Sequence, residues 1–161
     1  QKEVSSNLKI AIIDLDVHQG NGTASILQQD SSIFTLSIHG ENNFPFKKES
    51  SDLDIGLADA CEDQEYLHAL ENGLEQLNAR FRPDSLIFLA GADPHEGDRL
   101  GRLHISSEGM RLRDEMVLQY ALDRNLPIAL SMAGGYGKEI ESTIQIHFQT
   151  IKTALEFQKK Y

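Results

Sequence analysis

A single cysteine, no apolar run of membrane-spanning length and a shortage of basic residues set the first bounds on this chain of 161 residues. Cys61 alone cannot close an internal disulfide, which suits a reducing compartment. Crossing a bilayer takes about 20 consecutive apolar residues. The sequence has no such run, and its opening QKEVSSN carries no signal-peptide pattern. The expectation is a soluble, cytoplasmic protein that does not engage a membrane. Lys and Arg number 15 against 25 Asp and Glu, a formal net charge of -10. Nucleic-acid affinity comes mainly from clustered Lys and Arg, so a direct nucleic-acid partner is not expected, and cationic partners are the ones steered in.

The composition, with 40% hydrophobic and 25% charged residues, is that of an ordinary globular protein, and the length suits one domain with a real core. The chain is organised around KIAIIDLDVHQGNGT, Lys9 to Thr23. Ile10 to Ile13 read as a buried strand of about 8–17 that ends in Asp14, Asp16 and His18. Alternation puts these three polar residues on one face and Ile13, Leu15 and Val17 on the other. Gly-Asn-Gly then permits a sharp turn, and Asn21 or Thr23 can cap a helix through Gln29.

Further along, a second strand is expected at Ile33 to Ile38, followed by a long polar loop to Asp63 in which only SDLDIGL looks locally extended. Leu67, Leu70, Leu74, Leu77 and Phe81 mark an amphipathic helix from Gln64 that Pro83 terminates. A third strand, Ser85 to Ala90, leads into GADPHEGDRLGRLHIS. Ser106 or Ser107 can cap the next helix, about 107–124, which packs through Met110, Met116, Val117, Tyr120 and Ala121. A fourth strand at Pro127 to Ala133 ends in Gly134, Gly135, Tyr136 and Gly137, and a last helix covers about 138–157. Four strands alternating with four helices predict an α/β fold, a mostly parallel sheet with helices on both faces.

Ligands of such sheets bind beyond the carboxyl ends of the strands. Those ends hold Asp14, Asp16 and His18, then Ser37 and His39, then Asp93, then Tyr136. Asp16, His18 and Asp93 supply two carboxylates and an imidazole, a set suited to Zn²⁺ or alternatively Fe²⁺, with a position left for water. Zn²⁺ lowers the pKa of bound water to about 7 and polarises carbonyls, the chemistry of amide hydrolysis. Tyr136 is then a candidate donor to a developing oxyanion, with Gly134 and Gly135 allowing close substrate approach. Each signal alone has a plainer reading, a hydrogen-bonded loop start for the acidic strand end and a turn for Gly-Gly-Tyr. Their coincidence at equivalent strand ends is what carries weight.

Together these motifs resemble the histone deacetylase superfamily, most closely its class IV branch and related bacterial proteins. IIDLDVHQGNGT is similar to the family's D-x-D-x-H-x-G-N/D-G block, GADPHEGDRLGRLHIS to its second metal-binding loop and AGGYG to its tyrosine loop. Arg113 to Glu115, RDE, adds to the class IV likeness. The resemblance implies an arginase/deacetylase-type fold and a Zn²⁺-dependent amide hydrolase acting on acyl-lysine or an acylated small amine. It implies Asp16, His18 and Asp93 as Zn²⁺ ligands and Tyr136 as the group polarising the acyl carbonyl. Asp14, Ser37 and Ile38, with the Asp16 and His18 carbonyls, would form a structural K⁺ or Na⁺ region. Phe44 and Leu100 would wall the substrate tunnel.

Members of that family also carry a tandem His pair as general base and acid, which Asp14 and Asn21 would orient. No two of the six histidines here are adjacent. The chain is therefore expected to be the C-terminal portion of a deacetylase-like domain, about half of it, with a complementing N-terminal segment or self-association covering what is left bare. Two other readings stand beside this one. The first is a catalytically incomplete metal-binding fragment. The second is a phosphohydrolase of the haloacid-dehalogenase type, with Asp14 as nucleophile, Asp16 as acid and Gly97-Asp98 as a later acidic motif.

Overall fold

A computed structural model describes residues 8–160, so the polar opening segment 1–7 lies outside the described residues. The apolar run becomes β1 (Ile10–Asp14), the middle strand of a sheet. β2 (Ile33–Gly40) and β4 (Ser85–Ala90) flank it in parallel, with Ile13 opposite Leu36 on one side and Phe88 on the other. Ala11, Ile12 and Ile13 point to alternate faces and are all buried, so the sheet is covered on both faces at this central strand.

The ladder stops at Asp14, short of the expected Val17, because carboxylates take over the backbone donors. Asp14 Oδ1 accepts the Asp16 N–H at 3.1 Å, Asp93 Oδ1 the Val17 N–H at 2.8 Å and Asp16 Oδ1 the His18 N–H at 3.0 Å. Side-chain alternation nevertheless persists, since Leu15 and Val17 are still in the core. The following helix, α1 (Asn21–Leu27), is shorter than expected. Gly20 holds its N-cap position and no side chain caps it, so neither Asn21 nor Thr23 has that role.

SDLDIGL supplies a fifth strand, β3 (Leu53–Leu57), parallel to β2. Asp52 fixes its register, accepting the Thr35 N–H and hydroxyl while its own N–H donates to Thr35 Oγ1. With β5 (Ile128–Met132) beside β4, the order is β3-β2-β1-β4-β5, all parallel. The strand count is thus five, and the long loop is broken in two.

The other helices are α2 (Asp63–Arg80), α3 (Ser107–Asp123) and α4 (Ile140–Gln158). Ser106 caps α3 by accepting the Gly109 N–H, as the sequence predicts. With this strand order the right-handed crossover rule puts α1 on one face of the sheet and α2 with α3 on the other, and α2 and α3 do pack on one another. The α2/α3 side is the main core, where Tyr66, Leu70, Leu77, Met110 and Val117 meet Ile13, Leu36 and Phe88. Helix α4 packs on α3 and buries Ile146, Thr150, Thr153 and Phe157. Among the described residues no helix is long and apolar enough to cross a membrane.

Candidate metal centre

Ligand-capable atoms of Asp16, His18 and Asp93 all lie within 4.8 Å of one another, although Asp93 is 75 residues downstream of His18. Strand β1 delivers the first two and adjacent β4 delivers the third, so the parallel register brings them to one end of the sheet. His18 Nδ1 sits 3.0 Å from Asp16 Oδ1 and 3.2 Å from Asp93 Oδ2. One oxygen of each carboxylate is held by backbone, since Gly134 N–H donates to Asp16 Oδ2 at 2.7 Å and Val17 N–H to Asp93 Oδ1. Asp93 is fully buried, and its Oδ2 meets no well-aligned donor, only the ion-pair contact with His18 Nδ1. A Cβ at Gly134 would collide with that same oxygen and with Asp16 Oδ2, so glycine keeps this space clear.

Electrostatics point the same way. Burial pushes the Asp14 carboxyl up to about 7 and the Asp93 carboxyl up to about 6. Burial acts upward on Asp16 too, but hydrogen bonds from His18 and Gly134 outweigh it and hold that carboxyl below its usual range. Hydrogen bonds to Asp16 and Asp93 push His18 up to about 10. The crowded carboxylates favour positive charge beside them, and a proton on the His18 imidazole is one way to supply it. A divalent cation would supply it instead, with the imidazole neutral. Two carboxylates and one imidazole, their ligand atoms within 4.8 Å of one another, fit such an ion.

The neighbouring residues sort into those the fold gathers and those it leaves open. Asp14 and Ser37 are directly opposite in the β1–β2 register, and Ile38 follows Ser37. Ser37 Oγ accepts the Gly20 N–H and lies 3.0 Å from His39 Nδ1. Asn21 opens α1, its N–H bonded to the Gln19 carbonyl. Gly134 touches Asp16 directly, whereas the Tyr136 side chain two residues on is 54% exposed. Phe44 at 61% and Leu100 at 54% are exposed too.

Three buried residues tie these loops together in roles that the sequence does not signal. Asn43 donates to the Leu100 carbonyl and accepts the Arg102 N–H, joining the Phe44 and Leu100 loops. Asp98 accepts the N–H groups of Leu100, Gly101 and Tyr136, at 2.7, 2.8 and 2.6 Å. Arg113 lies wholly buried beneath the cluster. Polar residues in loops and helices give no periodic signal, so Asp98 stands out only as part of a phosphohydrolase-like Gly97-Asp98 and Arg113 only through the RDE likeness. Asp98 is fully engaged as a backbone clamp, which removes it as the later acidic motif of a phosphohydrolase.

An α/β sheet with a metal-fitting cluster at its carboxyl end describes a class of hydrolase folds, and comparison narrows the class to one family. Residues 1–151 match the histone deacetylase domain, and the chain belongs to that family. It is 45% identical over 139 residues to an uncharacterized protein of the cyanobacterium Picosynechococcus, covering 86% of this chain and 46% of that one. It is 35% identical over 133 residues to histone deacetylase 2 of Arabidopsis thaliana, covering 81% and 34%. Among solved structures, a histone deacetylase homolog from Aquifex aeolicus superposes with a TM-score of 0.77 at 24% identity, over 91% of this chain and 41% of that one. Acetylpolyamine aminohydrolase from Burkholderia pseudomallei gives 0.76 at 22%, over 90% and 44%. At such identities the likeness is one of fold. The chain spans less than half the length of these relatives, and the family match displaces the phosphohydrolase reading.

Proposed function

We propose that this chain is the C-terminal, metal- and tyrosine-bearing portion of a Zn²⁺-dependent deacylase domain, acting on acyl-lysine or an acylated polyamine. The observation that carries the reading is the convergence of Asp16, His18 and Asp93 with the AGGYG loop bonded onto Asp16 through Gly134. Asp16, His18 and Asp93 would hold the ion, with Fe²⁺ as the alternative; when bound it supplies Lewis acidity and a water of lowered pKa. The chain's own residues do the rest. Gly134 N–H fixes the Asp16 carboxylate, and Asp98 fixes the backbone of Tyr136. The Tyr136 hydroxyl donates to the oxyanion that develops as the amide carbonyl is attacked. Phe44 and Leu100 line the approach for the acyl chain, and Asp14, Ser37 and Ile38 form a K⁺ or Na⁺ region below. A net charge of -10 favours a cationic substrate, which an acylated polyamine is through its remaining ammonium groups and an acyl-lysine peptide is where Lys or Arg flanks the neutral amide.

Proton transfer at the leaving amine needs a general acid, and the six histidines of this chain include no adjacent pair. That observation favours a second reading, a metal-binding fragment that turns nothing over by itself. The two are separated by assaying acetyl-lysine peptide and acetylspermidine hydrolysis by the Zn²⁺-loaded chain, alone and with the remaining portion of a related deacetylase domain. Turnover in either sample supports the deacylase, and Zn²⁺ binding without turnover in both supports the fragment. In an active sample, Tyr136→Phe should keep Zn²⁺ and lower kcat about 10²-fold or more, the scale of one oxyanion donor. Unchanged turnover would remove Tyr136 from the mechanism.

A further inference from the structure

We infer that Arg113, on α3, is a positioning residue that locks together the two loops carrying Asp16 and Asp93; the inference rests on the metal reading above. Arg113 is fully buried, and its Nη1 donates to the Gly91 carbonyl at 2.5 Å and reaches the Leu15 carbonyl at 3.5 Å. Leu15 immediately precedes Asp16, and Gly91 lies two residues before Asp93. One guanidinium therefore spans the ends of β1 and β4 where the ligand loops begin.

Gly91 makes the grip effective. A Cβ built on it would meet Asp16 Cα at 2.7 Å and Asp93 Oδ1 at 2.8 Å, so its backbone is wedged against both ligand residues. Any shift of the Gly91 carbonyl moves both. The other side of the guanidinium is anchored: Nε donates to Asp114 Oδ1 at 2.9 Å and Nη2 lies 2.7 Å from the same oxygen. Asp114 Oδ2 in turn accepts the Thr150 hydroxyl of α4 at 2.6 Å. Asp114 and Thr150 are themselves buried, so the chain of bonds runs through the core from α4 to the ligand loops.

A buried ion pair is poor evidence of stability, because apolar residues of similar volume usually serve a core as well. A charge kept here calls for a job that an apolar side chain cannot do. The planar fork of arginine bonds carbonyls on one edge and a carboxylate on the other, which the point charge of lysine cannot do at once. Partners that orient metal ligands typically contribute 10–100-fold in metal affinity.

The test measures Zn²⁺ dissociation constants by chelator competition alongside urea unfolding of the metal-free protein. Arg113→Lys should bind Zn²⁺ about 10–100-fold more weakly, below the onset of its unfolding. Asp114→Asn, which keeps shape but loosens the anchor, should lose less in the same direction. Arg111→Lys, on the solvent side of α3, should match the parent. Parent-like affinity in a folded Arg113→Lys protein would overturn the inference. Should that variant not fold, parent-like affinity in Asp114→Asn would overturn it equally. A parent with no Zn²⁺ affinity would overturn the metal reading, a result distinct from parent-like variants.

Discussion

Strands β1 and β5 carry candidate site residues at the same end of one sheet, yet one is sealed and the other is bare. Ala11 and Ile13 of β1 are wholly buried between two neighbours, and the chain beyond them is held by three carboxylate-to-backbone hydrogen bonds. On β5, an edge strand, Ala129, Ser131 and Met132 are exposed, and α4 behind it turns Ile140, Ile144, Phe148, Ile151 and Leu155 to solvent. The difference teaches that the geometry of the candidate metal ligands is supported by this chain's own core. The tyrosine side, by contrast, sits on a flank whose apolar residues the described chain leaves exposed. Between α4 and β5 lies a cavity of about 470 Å³ lined by Leu118, Ile128, Leu130, Ile151 and Leu155, a further apolar surface on this flank.

The largest effect belongs on the sealed side. Asp93→Ala removes a fully buried candidate ligand whose other oxygen also holds the Val17 N–H. Zn²⁺ affinity should fall by more than the roughly 100-fold that outer partners contribute. Isothermal titration checks this, and full occupancy in the variant would mean that the ligand assignment is mistaken. Next comes packing. Ile13→Ala in β1 should lower unfolding free energy by about 2–5 kcal/mol, whereas Met132→Ala in β5 should change it by less than about 0.5 kcal/mol. Equal losses in urea denaturation would erase the contrast between the strands.

Much of this asymmetry was legible in the sequence, because both signals it rests on are periodic. The continuous apolar run of β1 reads as a doubly covered strand, and the three- and four-residue steps of α2 gave that helix to within a residue at each end. Asp16, His18 and Asp93 were nameable because strand ends in a parallel sheet converge. What escaped depends on long-range bonds. SDLDIGL reads as locally extended through its alternating Leu53, Ile55 and Leu57, but its pairing as β3 is fixed by Asp52 and Thr35, 17 residues apart. Gly20 stands at the α1 N-cap without a side-chain bond, so capping preferences pointed to the wrong residue. Asn43, Asp98 and Arg113 act through backbone carbonyls and N–H groups far away in sequence, and no local spacing records that.

The smallest expected effect on stability is the sharpest probe of the bare side. Ile140, Ile144, Phe148, Ile151 and Leu155 recur at three- and four-residue steps, so they form one stripe along α4 opposite its buried residues. Scattered exposed apolar residues are ordinary, but a continuous stripe beside an unpaired strand edge favours a covering partner. Replacing Ile144 and Phe148 with Ser removes apolar area that the chain itself does not bury. Its unfolding midpoint should stay put, within about 0.5 kcal/mol, while association with a complementing segment or a second copy is lost. Sedimentation velocity at micromolar concentration reads the second effect and urea denaturation the first. A parent chain that sediments as a well-folded monomer, with no stably bound piece, would show that the β5–α4 flank is finished surface. In that case the tyrosine loop would be supported as fully as the metal ligands are, and the contrast between the two strands would be one of exposure alone.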